Sequence, residues 1–228
     1  MTNLDDILSD LPIRFQSAVS FYWKTRNTQK TNQAARGGSD QGSRSAVTGG
    51  AQMDEFLAVI THYLKVIGIP DSDIYYDSKL ELPGFFRPNK KWDLLVIRRG
   101  QLVGALEAKS QVGSFGNNFN NRTEEAMGSA LDLWTAFREG AFNPTSSPWL
   151  GYIFLLQDCP ASQRPVRTDE PHFPVLPEFK NASYAKRYEL FCRKLVRERH
   201  YQSAAFLLSD DVVGISGRLV EPATDLTL

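Results

Sequence analysis

Trp92-Asp93-Leu94-Leu95-Val96-Ile97-Arg98-Arg99-Gly100-Gln101-Leu102-Val103-Gly104-Ala105-Leu106-Glu107-Ala108-Lys109-Ser110 is the stretch on which the fold turns. Its two apolar runs favour β-strands, and the polar tip Arg98-Arg99-Gly100-Gln101 holds the glycine that a tight hairpin needs. Each strand carries charge where burial makes unpaired charge expensive: Asp93 on the first, Glu107 and Lys109 on the second. Residues two apart on a strand share a face, so Glu107 and Lys109 point the same way. Asp93 joins them if the loop has an odd number of residues. A three-residue loop, Arg98-Arg99-Gly100, places Asp93 across from Ala105 and diagonal to Glu107. A strict two-residue turn at Arg99-Gly100 sends Asp93 to the other face, and the odd loop is the expectation. Two carboxylates and an ammonium converging in this way suit a divalent cation that activates water for attack on phosphate.

Outside the hairpin, 228 residues suffice for one sizeable core, so a single domain over 1–228 is expected. The chain is 42% hydrophobic and 23% charged, the balance of an ordinary globular protein. No apolar run approaches the roughly 20 residues that span a bilayer, and the acidic start Met1-Thr2-Asn3-Leu4-Asp5-Asp6 is unlike a signal peptide, so a cytoplasmic protein is expected. Cys159 and Cys192 have no metal-ligand spacing, and His62, His172 and His200 are scattered.

The 26 basic and 26 acidic residues cancel, but they are not evenly spread. Seven Lys or Arg lie between Lys180 and His200 against Glu189 and Glu198, and six lie between Arg87 and Lys109 against Asp93 and Glu107. Clustering of this kind serves a phosphate-tracking face, or else a solvated helix surface.

Helical spacing is read from Asp10 through Phe15, Val19 and Tyr22, and again from Met53 to Ile67, closed by Gly68 and Pro70. Between them, Thr25 to Gly50 holds few apolar side chains, so a flexible polar arm is expected at about 25–50, with Lys30, Arg36 and Arg44 available to DNA. Thr123–Phe137 and Ala182–Arg199 read as helices. Gly151–Leu156 and Ala204–Leu208 read as buried strands. That order gives an α/β fold, a mixed sheet with helices on both sides.

Longer strings carry a more specific likeness. Gly42-Ser43-Arg44-Ser45-Ala46-Val47-Thr48-Gly49-Gly50, Leu82-Pro83-Gly84-Phe85-Phe86-Arg87-Pro88, Lys91-Trp92-Asp93-Leu94, and Glu107-Ala108-Lys109-Ser110-Gln111 continuing to Gly113-Ser114-Phe115-Gly116-Asn117-Asn118 resemble the XhoI family of type II restriction endonucleases. That family lies within the PD-(D/E)XK nuclease superfamily, and the likeness runs from about Gly42 to Asp210. One departure is Trp92, where the superfamily has Pro before the first acid; that Pro carries no ligand. The resemblance implies a restriction-endonuclease-like mixed β-sheet flanked by helices. It also implies a Mg2+-dependent homodimer that cuts double-stranded DNA at the palindrome CTCGAG, leaving four-base 5′ extensions, alongside a cognate DNA methyltransferase in a prokaryotic cytoplasm. In this reading Asp93, Glu107 and Lys109 are catalytic, and Asp93 and Glu107 bind the metal with the Ala108 carbonyl.

DNA contacts are expected from Arg44, Lys90, Lys91 and Gln111, and from Asn117, Asn118, Asn120, Asn121 and Arg122 directly after the catalytic strand. Asn and Arg pair with adenine and guanine in the major groove, although an Asn-rich turn satisfying its own backbone has the same composition. Asp54 and Glu55 are lesser metal candidates, since acids also suit a helix start. A structure-specific repair or recombination nuclease, and a DNA-binding module that does not cut, are the alternative functions that the residues leave open.

Overall fold

The structure, a computed structural model, describes residues 4–35, 50–144 and 146–228. The chain divides into two compact units, 1–74 with 209–219 and 75–208 with 220–228.

The first unit is helical: α1 (Leu4–Ile7), α2 (Leu11–Ala35) and α3 (Gly50–Val66). Phe15, Val19 and Tyr22 of α2 are buried, as their spacing requires, and Phe15 meets Phe56 of α3 at 5.8 Å between ring centroids. The Trp23 indole N–H donates to Ser209 Oγ at 2.9 Å. Gly68 closes α3 with a positive φ of 94°, its N–H bonding back to Lys65 O. The arm expected at about 25–50 is corrected in its first part, because α2 continues to Ala35. The cause is polar rather than apolar packing. Gln52 of α3 is buried, its Nε2 donates to Gln29 Oε1 at 2.7 Å, and its Oε1 accepts from Arg26 at 3.4 Å. Residues 36–49, with Arg36 and Arg44, lie outside the described residues.

The second unit is built on a five-stranded mixed sheet in the order β1-β4-β5-β6-β7, where β1 is Ile74–Tyr75, β4 Leu94–Arg98, β5 Gln101–Gln111, β6 Trp149–Gln157 and β7 Ser203–Ser209. Strands β4 and β5 are antiparallel, and β5 and β6 parallel. A separate antiparallel hairpin pairs β2 (Glu81–Pro83) with β3 (Asn89–Lys91). Helices α4 (Phe115–Arg138) and α6 (Tyr184–Arg197) pack on the sheet, and the short α5 spans Pro160–Gln163. Tyr188 of α6 stacks on Phe154 of β6 at 4.3 Å between centroids, and Tyr152 and Phe206 lie in the same aromatic layer. The fold is the expected mixed sheet flanked by helices. Among the described residues, no helix is long and apolar enough to cross a membrane.

The hairpin turn differs from expectation. Arg98 pairs with Gln101, so Arg99-Gly100 is a two-residue turn, with φ of 52° and 73° as a type I′ turn requires. That turn alone would put Asp93 on the wrong face. A bulge corrects it: Ile97 pairs with Leu102 but Val96 with Gly104, leaving Val103 as the extra residue. Beyond it Leu94 faces Leu106, so Asp93 comes directly opposite Glu107 and not diagonal to it.

Candidate active site

Asp93 sits at the bend that enters β4, its backbone N–H bonded to Leu106 O at 3.2 Å. Its Oδ2 accepts the Ala108 N–H at 2.8 Å and lies 3.4 Å from Lys109 Nζ. Glu107 projects from the same face of β5 and is 3% exposed. Its Oε1 is 3.1 Å from Lys109 Nζ and 3.2 Å from Lys90 Nζ, and its Oε2 faces the Tyr201 hydroxyl at 3.1 Å. The Lys109 ammonium thus bridges both carboxylates. In a strand the N–H and C=O of one residue point to the same neighbour, so the Ala108 carbonyl is directed toward the Asp93 side as well.

Electrostatics follow from this packing. Burial alone would raise the Glu107 carboxyl, but Lys109 and Lys90 outweigh it and hold the group below the usual glutamate value. Burial would lower Lys109; the Glu107 and Asp93 charges overcome it and raise the ammonium above its ordinary range. Lys90 goes the other way. Its burial is only partly offset by Glu107, and the nearby Lys109 charge adds to the depression. Burial, then the Glu107 charge, push the Tyr201 phenol well above the usual tyrosine range.

Two carboxylates and a strand carbonyl are hard oxygen donors, the set that Mg2+ takes when substrate phosphate and water complete its shell. No group of three or more His, Cys, Asp or Glu with metal-binding placement occurs among the described residues. Asp54 and Glu55 belong to α3 of the first unit.

The other sequence-derived candidates fare unevenly. Lys90 reaches the cluster itself, whereas Lys91 beside it is exposed. Gln111 is buried and donates to Gly113 O at 2.6 Å, turned into its own loop. The Asn-rich segment is no loop: α4 begins at Phe115, so 117–122 form its first turns. Asn117, Asn120 and Asn121 are exposed there, Asn118 donates back to Ser114 O, and Arg122 pairs with Glu125 at 2.8 Å. The basic face of α6 is largely engaged by acids: Lys186 with Glu189, Arg193 with Glu189 and Asp225, and Lys194 with Glu178. Tyr201 was not legible, because it lies 94 residues from Glu107 in sequence. Asp132 did leave a signal, a carboxylate among the apolar positions of α4 beside Leu133. It is buried and accepts from Phe85 N, Phe86 N and Arg87 Nε at 2.8, 2.8 and 2.7 Å, which fixes the tip of the β2–β3 hairpin.

A family model described as restriction endonuclease XhoI matches residues 32–221. The chain belongs to the XhoI restriction endonuclease family. This family member is 56% identical over 197 residues to the type II restriction enzyme BstVI of Geobacillus stearothermophilus, covering 84% of the chain and 88% of that enzyme. It is 49% identical over 181 residues to the type II restriction enzyme XhoI of Xanthomonas vasicola, with 78% and 72% covered. It is 45% identical over 168 residues to the type II restriction enzyme AbrI of Azospirillum brasilense, with 73% and 75% covered. No solved structure matches this XhoI-family chain.

Proposed function

We propose that this chain is a type II restriction endonuclease that hydrolyses phosphodiester bonds of double-stranded DNA at a palindrome, with Asp93, Glu107 and Lys109 as its catalytic set and Mg2+ as cofactor. The observation that carries the reading is the Lys109 ammonium held between Asp93 and Glu107, at 3.4 and 3.1 Å. The family resemblance points to CTCGAG and four-base 5′ extensions. The family match runs through both compact units, which supports treating 1–228 as one endonuclease domain.

Asp93, Glu107 and the Ala108 carbonyl would hold the ion. When bound, a divalent cation polarises the scissile phosphate and lowers the pKa of an attacking water. Lys109, kept charged by its two carboxylates, orients that water and neutralises negative charge as it grows on the phosphate oxygens. The Ala108 N–H fixes Asp93 in place, and Tyr201 does the same for Glu107. Exposed Asn117, Asn120 and Asn121 on α4, with Lys91 and Arg122, are the DNA-reading candidates of this unit, and Arg44 that of the polar segment. One chain carries one such set, so a double-strand cut in a single encounter calls for a two-fold dimer on a two-fold site. A cognate methyltransferase would protect the host's own copies.

Digestion of a plasmid of known sequence with Mg2+, followed by end-sequencing of the products, tests the proposal. A single palindrome at every end is expected. Ends scattered over unrelated sequences, or intact plasmid under all divalent ions, would refute it.

A further inference from the structure

Three donors converge on the two oxygens of Glu107, and two of them, Lys90 and Tyr201, lie outside the Asp-Glu-x-Lys set. Lys90 comes from β3, in the hairpin that is separate from the five-stranded sheet. Its side chain is 12% exposed, and its Nζ lies 3.2 Å from Glu107 Oε1 and 4.2 Å above the Trp92 ring. The same oxygen already takes Lys109 at 3.1 Å, and Oε2 faces Tyr201. With Asp93, the four charged groups sum to zero. We propose that Lys90 is the resident counter-ion of Glu107, and that a divalent cation gains this carboxylate only by displacing the Lys90 ammonium from Oε1.

The inference rests on the reading of Asp93 and Glu107 as the ion site, and extends it to a residue that the catalytic set omits. An ammonium is a donor with no lone pair to offer, so Lys90 can serve the carboxylate but never the ion. A divalent cation brought beside two ammoniums meets like-charge repulsion in a poorly solvated cluster, where such effects are stronger than in water. Lys109 has Asp93 as a second partner and can remain; Lys90 has the Trp92 face, which attracts a cation without holding Glu107. Because β3 is not part of the β4–β5 ladder, Lys90 can withdraw without breaking the strands that carry Glu107 and Lys109. Lys90 is therefore a positioning residue that sets how readily the ion loads.

Calorimetric titration of the DNA-free protein with Ca2+, which needs no turnover, tests this. K90M, which keeps an unbranched apolar stem beside Trp92 but loses the charge, should bind Ca2+ at least tenfold more tightly than the wild-type protein. K90R, which keeps the charge, should show no such gain. K90Q carries the same expectation as K90M should the latter fail to fold by near-ultraviolet circular dichroism. Equal or weaker binding by the neutral variants, undetectable binding by them included, would overturn the proposal, as would an equal gain in K90R. E107Q separates the two levels of the argument: wild-type affinity in E107Q would remove Glu107 as an ion ligand altogether, whereas lost binding in E107Q with no gain in K90M would remove only the role of Lys90.

Discussion

Glu107 and Asp132 are both buried carboxylates in the same compact unit, each satisfied on both oxygens, yet their partners differ in kind. Asp132 accepts from two backbone amides, Phe85 N and Phe86 N, and from Arg87 Nε. Those amides are fixed by the hairpin they belong to, and Gly84 beside them has no room for a side chain: a Cβ there would lie 2.6 Å from Asp132 Oδ2 and 2.7 Å from Arg87 O. Glu107 accepts from two lysine ammoniums and a tyrosine hydroxyl. Ammoniums on long flexible stems can be exchanged for another cation; backbone amides cannot. Burial of a carboxylate therefore does not mark a reactive site.

The sharpest break between the two regions is in what each loses on mutation. Asp93→Ala or Lys109→Ala should reduce cleavage by about a thousandfold or more, since the proposed water activation and charge stabilisation both go through this set. Plasmid cleavage assays check this, with circular dichroism showing that each variant is folded at the assay temperature. Asp132→Ala should show the reverse pattern. Two backbone amides and an arginine lose their acceptor, for a stability loss of about 1–3 kcal/mol in urea unfolding.

A smaller effect lies in acid. Both carboxyls are held below their unfolded values of 4.5 for Glu107 and 3.8 for Asp132. A depressed carboxyl gives stability that is present above its unfolded pKa and lost as pH falls through the folded one. Stability should thus begin to drop below about pH 4.5 through Glu107 and further below about 3.8 through Asp132. In acid unfolding series, E107Q should flatten the first part and D132N the second; identical slopes in E107Q and wild type would contradict the charged Glu107–lysine cluster. Smallest of all, Lys194→Ala on the paired face of α6 should change stability by only about 0–1 kcal/mol, because its bridge to Glu178 is solvent-exposed.

These contrasts also explain what the sequence disclosed. Asp93, Glu107 and Lys109 were legible because their spacing is local and one hairpin brings them together. The face was not decided by the turn, as expected, but by the bulge at Val103, which no turn residue announces. The Asn-rich start of α4 reads as a turn by composition, yet Phe115 and Phe119 pack against Tyr184 and Tyr188 and draw it into the helix. Thr25–Ala35 reads as an arm because its partners are polar and sit on α3, in Gln52. Lys90 was visible as a cation near the site, but its partner depends on how a short hairpin folds back, and Tyr201 depends on the whole sheet being assembled.

The central claim, that the exchangeable carboxylate and not the fixed one receives the ion, is open to a direct mapping. Fe2+ added to the protein in place of Mg2+, with ascorbate and peroxide, cuts the polypeptide next to wherever the metal sits. Fragments ending close to Asp93 and to Glu107–Lys109, suppressed by excess Mg2+ and lost in E107Q, are the predicted result. Cuts at Phe85–Arg87 and Asp132 instead, or a pattern unchanged in E107Q, would contradict it.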